Sequence, residues 1–235
     1  MSSQNSPQWV FPDIFPPKEI RILGAGRFGR IAAERLKRRF SDAVLTIADD
    51  RAEKIEQVRR ELGISGEVGD SLQLMVKRPL PEHVWIIPAV PLHLGFQWIL
   101  RELKKTGTAE MVPVPGDADA QVPNPIRFSG TLYASFATFI CPDHCSEPDE
   151  ICTHTGRGRQ GNLYDVFGSV RVAGFDVAVL RSWQLAPGVG GYPVRSLIGL
   201  LGRIRSGAEK CLVATSCRCH GVMNGLEWKS DRVEG

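Results

Sequence analysis

The chain lacks a strong charge of either sign: 29 Lys and Arg stand against 26 Asp and Glu in 235 residues, a formal net charge of +3. A field this weak argues against charge-driven binding to nucleic acid or to an anionic lipid surface. No apolar run approaches the roughly 20 residues that cross a bilayer, and the nearest, around 84–100, is broken by Pro88, Pro91 and His93. No membrane span is expected. Residues 1–17, MSSQNSPQWVFPDIFPP, have neither the basic start nor the apolar stretch of a secretory signal. Their prolines forbid a long helix, so a flexible tail and a cytoplasmic location are expected. Internal repeats with a period of about 20 to 50 residues and low-complexity tracts are also missing. Cysteine is present six times. Without an export signal these thiols should stay reduced, which favours metal ligation or thiol chemistry over disulfides.

What is there centres on residues 18–50, KEIRILGAGRFGRIAAERLKRRFSDAVLTIADD. A short apolar run over 19–23 ends at Gly24, as a parallel strand covered on both faces would. Phe28, Ile31, Ala32, Leu36 and Phe40 then recur at three- and four-residue steps between charged positions, the spacing of an amphipathic helix. A second strand over 43–48 closes on Asp49 and Asp50, and a helix over 51–62 stops at Gly63. Further strands are expected at 64–68, 83–87 and 111–114, with a helix over 94–105. These segments make an α/β domain over 18–125, a Rossmann-like doubly wound parallel sheet. The proline-rich stretch 112–125 marks its end. Residues 126–235 read as a Cys-rich, loop-rich lobe with a C-terminal βαβ unit: a strand at 175–182, a loop APGVGGYP, a helix over 194–205 and a strand at 211–216. That loop is either a cradle whose N–H groups take a substrate carboxylate or phosphate, or a plain flexible turn.

Gly24-Ala25-Gly26-Arg27-Phe28-Gly29 is a G-x-G-x-x-G turn between a predicted strand and helix. Gly24 permits the tight turn, Gly26 lets a pyrophosphate approach the backbone, and Gly29 lets the helix pack on the strand. An acidic residue ending the next strand suits the ribose hydroxyls and repels a 2′-phosphate, so NAD is preferred over NADP; Arg51 pulls the other way. The stretch from Ile20 to about Asp70, with ILGAGRFGR, IADD, EKIEQVRREL and GEVGD, resembles the NAD-binding domains of potassium-uptake regulators of the KTN or RCK type. Saccharopine-dehydrogenase-like nucleotide-binding domains share the signature. The resemblance implies that Asp49 serves the adenosine ribose and that Asp70 lies near the adenine. Pro88 opens the loop PAVPLH after the fourth predicted strand, where the nicotinamide would lie, and there His93 is a candidate proton donor or a plain helix-start histidine.

Cys141, Cys145 and Cys152 fall in FICPDHCSEPDEICTHTG, and Cys217, Cys219 and His220 in TSCRCH. The spacing matches no familiar knuckle. A site from Cys141, Cys145, Cys152 and one of Cys217 or Cys219 suits an iron–sulfur cluster or zinc. If TSCRCH opens a helix, Cys217 or Cys219 would instead be an activated thiol nucleophile; Cys211, in an apolar strand, reads as core. Three functions remain open: an NAD-dependent oxidoreductase with a Cys-ligated metal centre near the nicotinamide, a nucleotide- or redox-sensing regulator, and a binding module without turnover. The partner is then a small-molecule substrate or a regulated protein, and a homo-oligomer is compatible with each.

Overall fold

In the computed structural model, which describes residues 13–77 and 79–231, the described chain folds into two six-stranded sheets with helices on and between them. The fold is mixed α/β. In the first sheet β1 (Glu19–Leu23), β2 (Val44–Asp49), β3 (Ser65–Val68) and β4 (Trp85–Pro88) run parallel in the order β3-β2-β1-β4. They are linked by α1 (Arg27–Arg39), α2 (Ala52–Leu62) and α3 (Ser71–Lys77). After α4 (Leu94–Leu103) the chain leaves for the second sheet with β5 (Gly107–Val112), a 3-10 turn (Gly116–Gln121), β6 (Ile126–Phe128), β7 (Thr131–Ser135), α5 (Leu163–Ser169) and β8 (Asp176–Arg181). It then returns. The hairpin β9 (Trp183–Ala186) and β10 (Val189–Pro193) joins the first sheet through antiparallel pairing of β10 with β4. Helix α6 (Val194–Arg205) leads back to β11 (Lys210–Ser216), which lies parallel to β8, and β12 (His220–Ser230) closes the chain.

Strand periodicity explains the layers, because successive side chains point to opposite faces. Ile20, Ile22, Trp85 and Ile87 meet Ala32, Ala33 and Leu36 of α1 and Ile55 and Val58 of α2. Val84 and Ile86 point the other way, into a core shared with α4, α6 and the facing residues Ala178, Leu180 and Val213 of the second sheet. That sheet's outer face packs Leu132, Ala134, Leu212 and Met223 against Phe167 of α5. Trp85, wholly buried, is worth about 3 kcal/mol of apolar transfer by itself. Helix α2 ends where expected, at Gly63 in the left-handed conformation (φ 63°).

Several expectations need correction. The fifth strand predicted at 111–114 is β5, and it pairs with β12 in the second sheet, so the first sheet is already left before residue 125. APGVGGYP is a hairpin and not a loop: its strands pair with each other and with β4, and Gly188 N–H donates to Cys145 O. Residues 126–175 contain β6, β7 and α5 as well as loops. TSCRCH forms the turn between β11 and β12, not a helix start. Of the expected tail 1–17, residues 1–12 lie outside the described residues; Phe15 packs edge-on against Phe40 and Trp85, with ring centroids 6.0 and 6.3 Å away.

Candidate functional site

The glycine turn sits at the C-terminal end of β1. Gly24 has φ 107°, and its N–H donates to Ala48 O at 2.7 Å. A Cβ there would lie 2.4 Å from Ala89 O, and one on Gly29 only 1.8 Å from Gly24 O. Both glycines are therefore demanded by backbone contact. Gly26 differs: nothing lies within 4 Å of its Cβ position, and it caps α1 without a side-chain hydrogen bond. Space at the start of a 13-residue helix, with unpaired N–H groups and the positive end of the helix dipole, suits an anion.

Asp49, Asp50, Asp70 and Pro88 all fall at the same strand ends as the turn. Asp49, expected to meet a ribose, is buried and committed to its own chain. Its Oδ2 accepts from Ala25 N–H at 2.8 Å and from Lys54 Nζ at 3.1 Å, and its Oδ1 accepts from Arg51 N–H at 3.1 Å. Burial alone would raise this carboxyl, but those bonds outweigh it and hold the pKa below its ordinary value. Asp49 thus braces the glycine turn. Asp50, next along, is exposed. Asp70 caps α3, accepting Gln73 N–H at 2.8 Å. Lys54 was the residue that periodicity hid, since it reads only as one more charge on α2.

His93 is not placed as a proton donor. Its Nδ1 lies 2.8 Å from Asn224 Oδ1 and its Nε2 2.8 Å from Thr215 Oγ1, while Asn224 Nδ2 donates to Thr131 Oγ1 at 2.8 Å. An amide oxygen only accepts, so Nδ1 carries the proton and Nε2 accepts from the threonine. The ring ties the start of α4 to β11 and β12. Burial pushes its pKa down from 6.5 to about 4. With the folded-state value lowered, the neutral ring's contribution is complete above the unfolded pKa of about 6.5 and is lost as the pH falls through about 4, a linkage on the order of 3 kcal/mol. Urea unfolding between pH 7 and pH 4 should show that loss in the wild type and not in His93→Gln. Equal losses would remove His93 as the cause.

A cleft of about 680 Å³ runs from Arg27 and Phe28 at the start of α1 to Cys141, Cys145, Cys217 and Cys219. Phe28, expected on the buried helix face, is 59% exposed and forms part of this wall. Residues 141–147 are held against α1: Arg27 ion-pairs with Asp143, and Arg35 Nη1 donates to Asp143 O at 2.6 Å and Pro187 O at 2.5 Å. Gly188 N–H donates to Cys145 O at 2.7 Å. Asp143 carried no signal in the sequence, because its partner lies more than a hundred residues away.

All six cysteines are free. Cys211 is core, 3% exposed, as its strand implied. Cys141 is pushed up to about 11 by burial and by Cys145, Cys219 and Cys152. Arg159 Nη1 lies 3.0 Å from Cys219 Sγ. Cys217 is no activated nucleophile: burial, then the carboxylate of Glu147, drives its thiol upward. His220 Nδ1 is 3.9 Å from Cys217 Sγ. Among the described residues, no three His, Cys, Asp or Glu side chains are grouped closely enough to hold one metal ion.

A family model described as AF_1314_C, uncharacterized protein, C-terminal domain, matches residues 95–229. An uncharacterized protein of Archaeoglobus fulgidus is 27% identical over 219 residues, which span 88% of this chain and 98% of that protein. No solved structure matches. The matched segment runs from α4 to β12 and carries every cysteine, the cleft wall opposite the glycine turn and the β9–β10 hairpin. Covering more than half of the chain, that match makes the protein a member of the AF_1314_C family.

Proposed function

We propose that the chain binds a dinucleotide of the NAD type at the glycine turn, on a Rossmann-like half-sheet, and acts as an NAD-dependent oxidoreductase. The observation that carries this is the open Gly26 at the start of α1, set beside two glycines that backbone contact demands. The four parallel strands in the order β3-β2-β1-β4 put that turn on the edge where such folds take their ligands. The N–H groups opening α1 would hold the pyrophosphate, with Arg27 adding charge. Asp50 is the carboxylate free to meet the ribose hydroxyls, since Asp49 is taken. NAD remains preferred over NADP on that account. The bound nicotinamide would supply hydride chemistry; the cleft walls, Phe28 and Val222 among them, would keep water from it.

A second reading, a nucleotide-sensing regulator without turnover, is favoured by one contact. Arg27 spans from the glycine turn to Asp143 in the cysteine loop, so an anion recruiting Arg27 would loosen that loop. Calorimetry with NAD and NADP tests the shared premise. Wild type should bind NAD more tightly than NADP. Gly26→Trp should lose on the order of 100-fold in affinity, about 3 kcal/mol, with the melting temperature little changed because that side is open. If wild type binds neither nucleotide, both readings fall. Reduction of NAD by a substrate separates enzyme from sensor.

A further inference from the structure

We propose that a second cleft, of about 580 Å³ and anchored on Arg181, is a binding site for the carboxylate of a small organic acid. It shares Glu147 and Gln184 with the cleft beside the glycine turn, and the proposal stands whether or not a nucleotide binds there.

Topology brings the basic residues together. In the second sheet β8 and β11 are the parallel pair, with Arg181 opposite Ser216 at their shared C-terminal end, while the other pairings are antiparallel. The carboxyl ends of parallel strands are where α/β sheets take ligands. Arg181 is the last residue of β8, and Arg218 stands two residues beyond the end of β11. Arg39, the last residue of α1, lines the same cleft from a helix of the first sheet. Guanidinia from three remote parts of the chain therefore face one hollow.

Arg181 is the anchor because of how it is held. Only 8% of it is exposed, and its Cζ lies 3.6 Å from the ring centre of Trp183 and 4.3 Å from that of Tyr164. Aromatic contacts of this kind take the faces of a guanidinium and fix its plane, which leaves the N–H fork along its edge. A carboxylate matches that fork with two parallel hydrogen bonds. The volume lies within the roughly 300 to 1,000 Å³ of small-molecule pockets, so the carboxylate has room for an organic body behind it.

The acidic residues of the wall set the charge of the ligand. Glu147 accepts Arg218 N–H and Asp149 pairs with the Arg218 guanidinium, whose Nη1 also donates to Asn162 Oδ1 at 3.3 Å. Arg218 is thereby fixed as part of the wall. Arg39, exposed, makes no ion pair among the described residues. Among the lining residues three guanidinia stand against two carboxylates, a balance that suits a monoanion and disfavours a dianion. Burial chiefly, and Arg218 beside it, hold the Arg181 pKa below its ordinary value, and a bound anion would oppose both.

The test is a titration of isotope-labelled full-length protein with acetate, benzoate and inorganic sulfate at neutral pH and constant ionic strength. It is read at the indole N–H of Trp183, which lines the cleft and is assigned from a Trp183→Phe spectrum. Acetate and benzoate should each move that resonance saturably at millimolar concentration, and sulfate should bind about tenfold more weakly than benzoate. Arg181→Lys keeps the charge but loses the fork, and should weaken benzoate about tenfold. Arg39→Gln, at an exposed position that does not put the fold at risk, should weaken it about threefold. Arg38→Gln, the neighbour outside the cleft, should bind as wild type does. A resonance that neither acid moves, sulfate bound as tightly as benzoate, or wild-type affinity in Arg181→Lys or in Arg39→Gln would each overturn the proposal. No nucleotide is present in this titration, and unchanged benzoate binding in Gly26→Trp keeps the result separate from the glycine turn.

Discussion

Gly29→Ala should destabilise the protein by about 3 kcal/mol, a large share of the stability of an ordinary domain. The added Cβ would sit 1.8 Å from Gly24 O and 2.8 Å from Gly24 C, both backbone atoms with no rotamer to escape into. Nor can Gly24 retreat. Its own Cβ position is 2.4 Å from Ala89 O, and Ala89 N–H is tied to Leu23 O at 2.7 Å, so β1, β4 and α1 meet with no slack. The clash must be met by lifting α1 off the sheet, which exposes Ala32, Ala33 and Leu36. Gly26→Ala provides the control: with open space at its Cβ and φ at −71°, it should stay within about 0.5 kcal/mol of wild type. Urea denaturation of the two variants decides it. Equal stabilities would mean that the two glycines do not divide their labour as described.

Asp49→Ala should cost a comparable amount, about 3 kcal/mol, because it strands a lysine and two backbone N–H groups rather than merely removing a contact. Lys54, 21% exposed, loses the carboxylate it ion-pairs with, and Ala25 N–H and Arg51 N–H lose their acceptor. Adding Lys54→Met should therefore return part of the loss. A double-mutant cycle showing simple additivity would reject the bracing role. The pH dependence has a definite sign. The folded-state carboxyl lies below its ordinary value, so the contribution is complete above the unfolded pKa of about 4 and fades as pH falls through the lower folded value. This window lies below that of His93, which keeps the two titrations apart.

What the sequence disclosed depended on whether the physics was local. Helix α6 was expected over the residues it occupies, and α1, α2 and α4 within one or two, because apolar spacing and glycine stops are written within a single turn. The G-x-G-x-x-G spacing was equally legible. The β9–β10 hairpin was not: a glycine-rich strand pair looks like a loop, and its partner β4 is remote in sequence. Strand β7 escaped because Tyr133 is 41% exposed between buried Leu132 and Ala134, so apolar residues occupy both faces and no alternation shows. Phe28 was assigned to the core since periodicity records a direction around the helix axis and not what that direction faces. For the candidate site, residue types were legible and partners were not; Asp49 was singled out as a ligand carboxylate when Ala25 and Lys54 had already claimed it.

The return of the chain to the first sheet also sets an order of events. Ile86 of β4 pairs with Tyr192 of β10, about a hundred residues later in synthesis. At ribosomal speeds that interval is roughly 5 to 20 s. Throughout it β4 presents an open edge carrying Trp85, Ile86 and Ile87, all of them buried in the finished protein. The nascent chain therefore has a period of exposure built into its topology, one that ends only when the hairpin emerges.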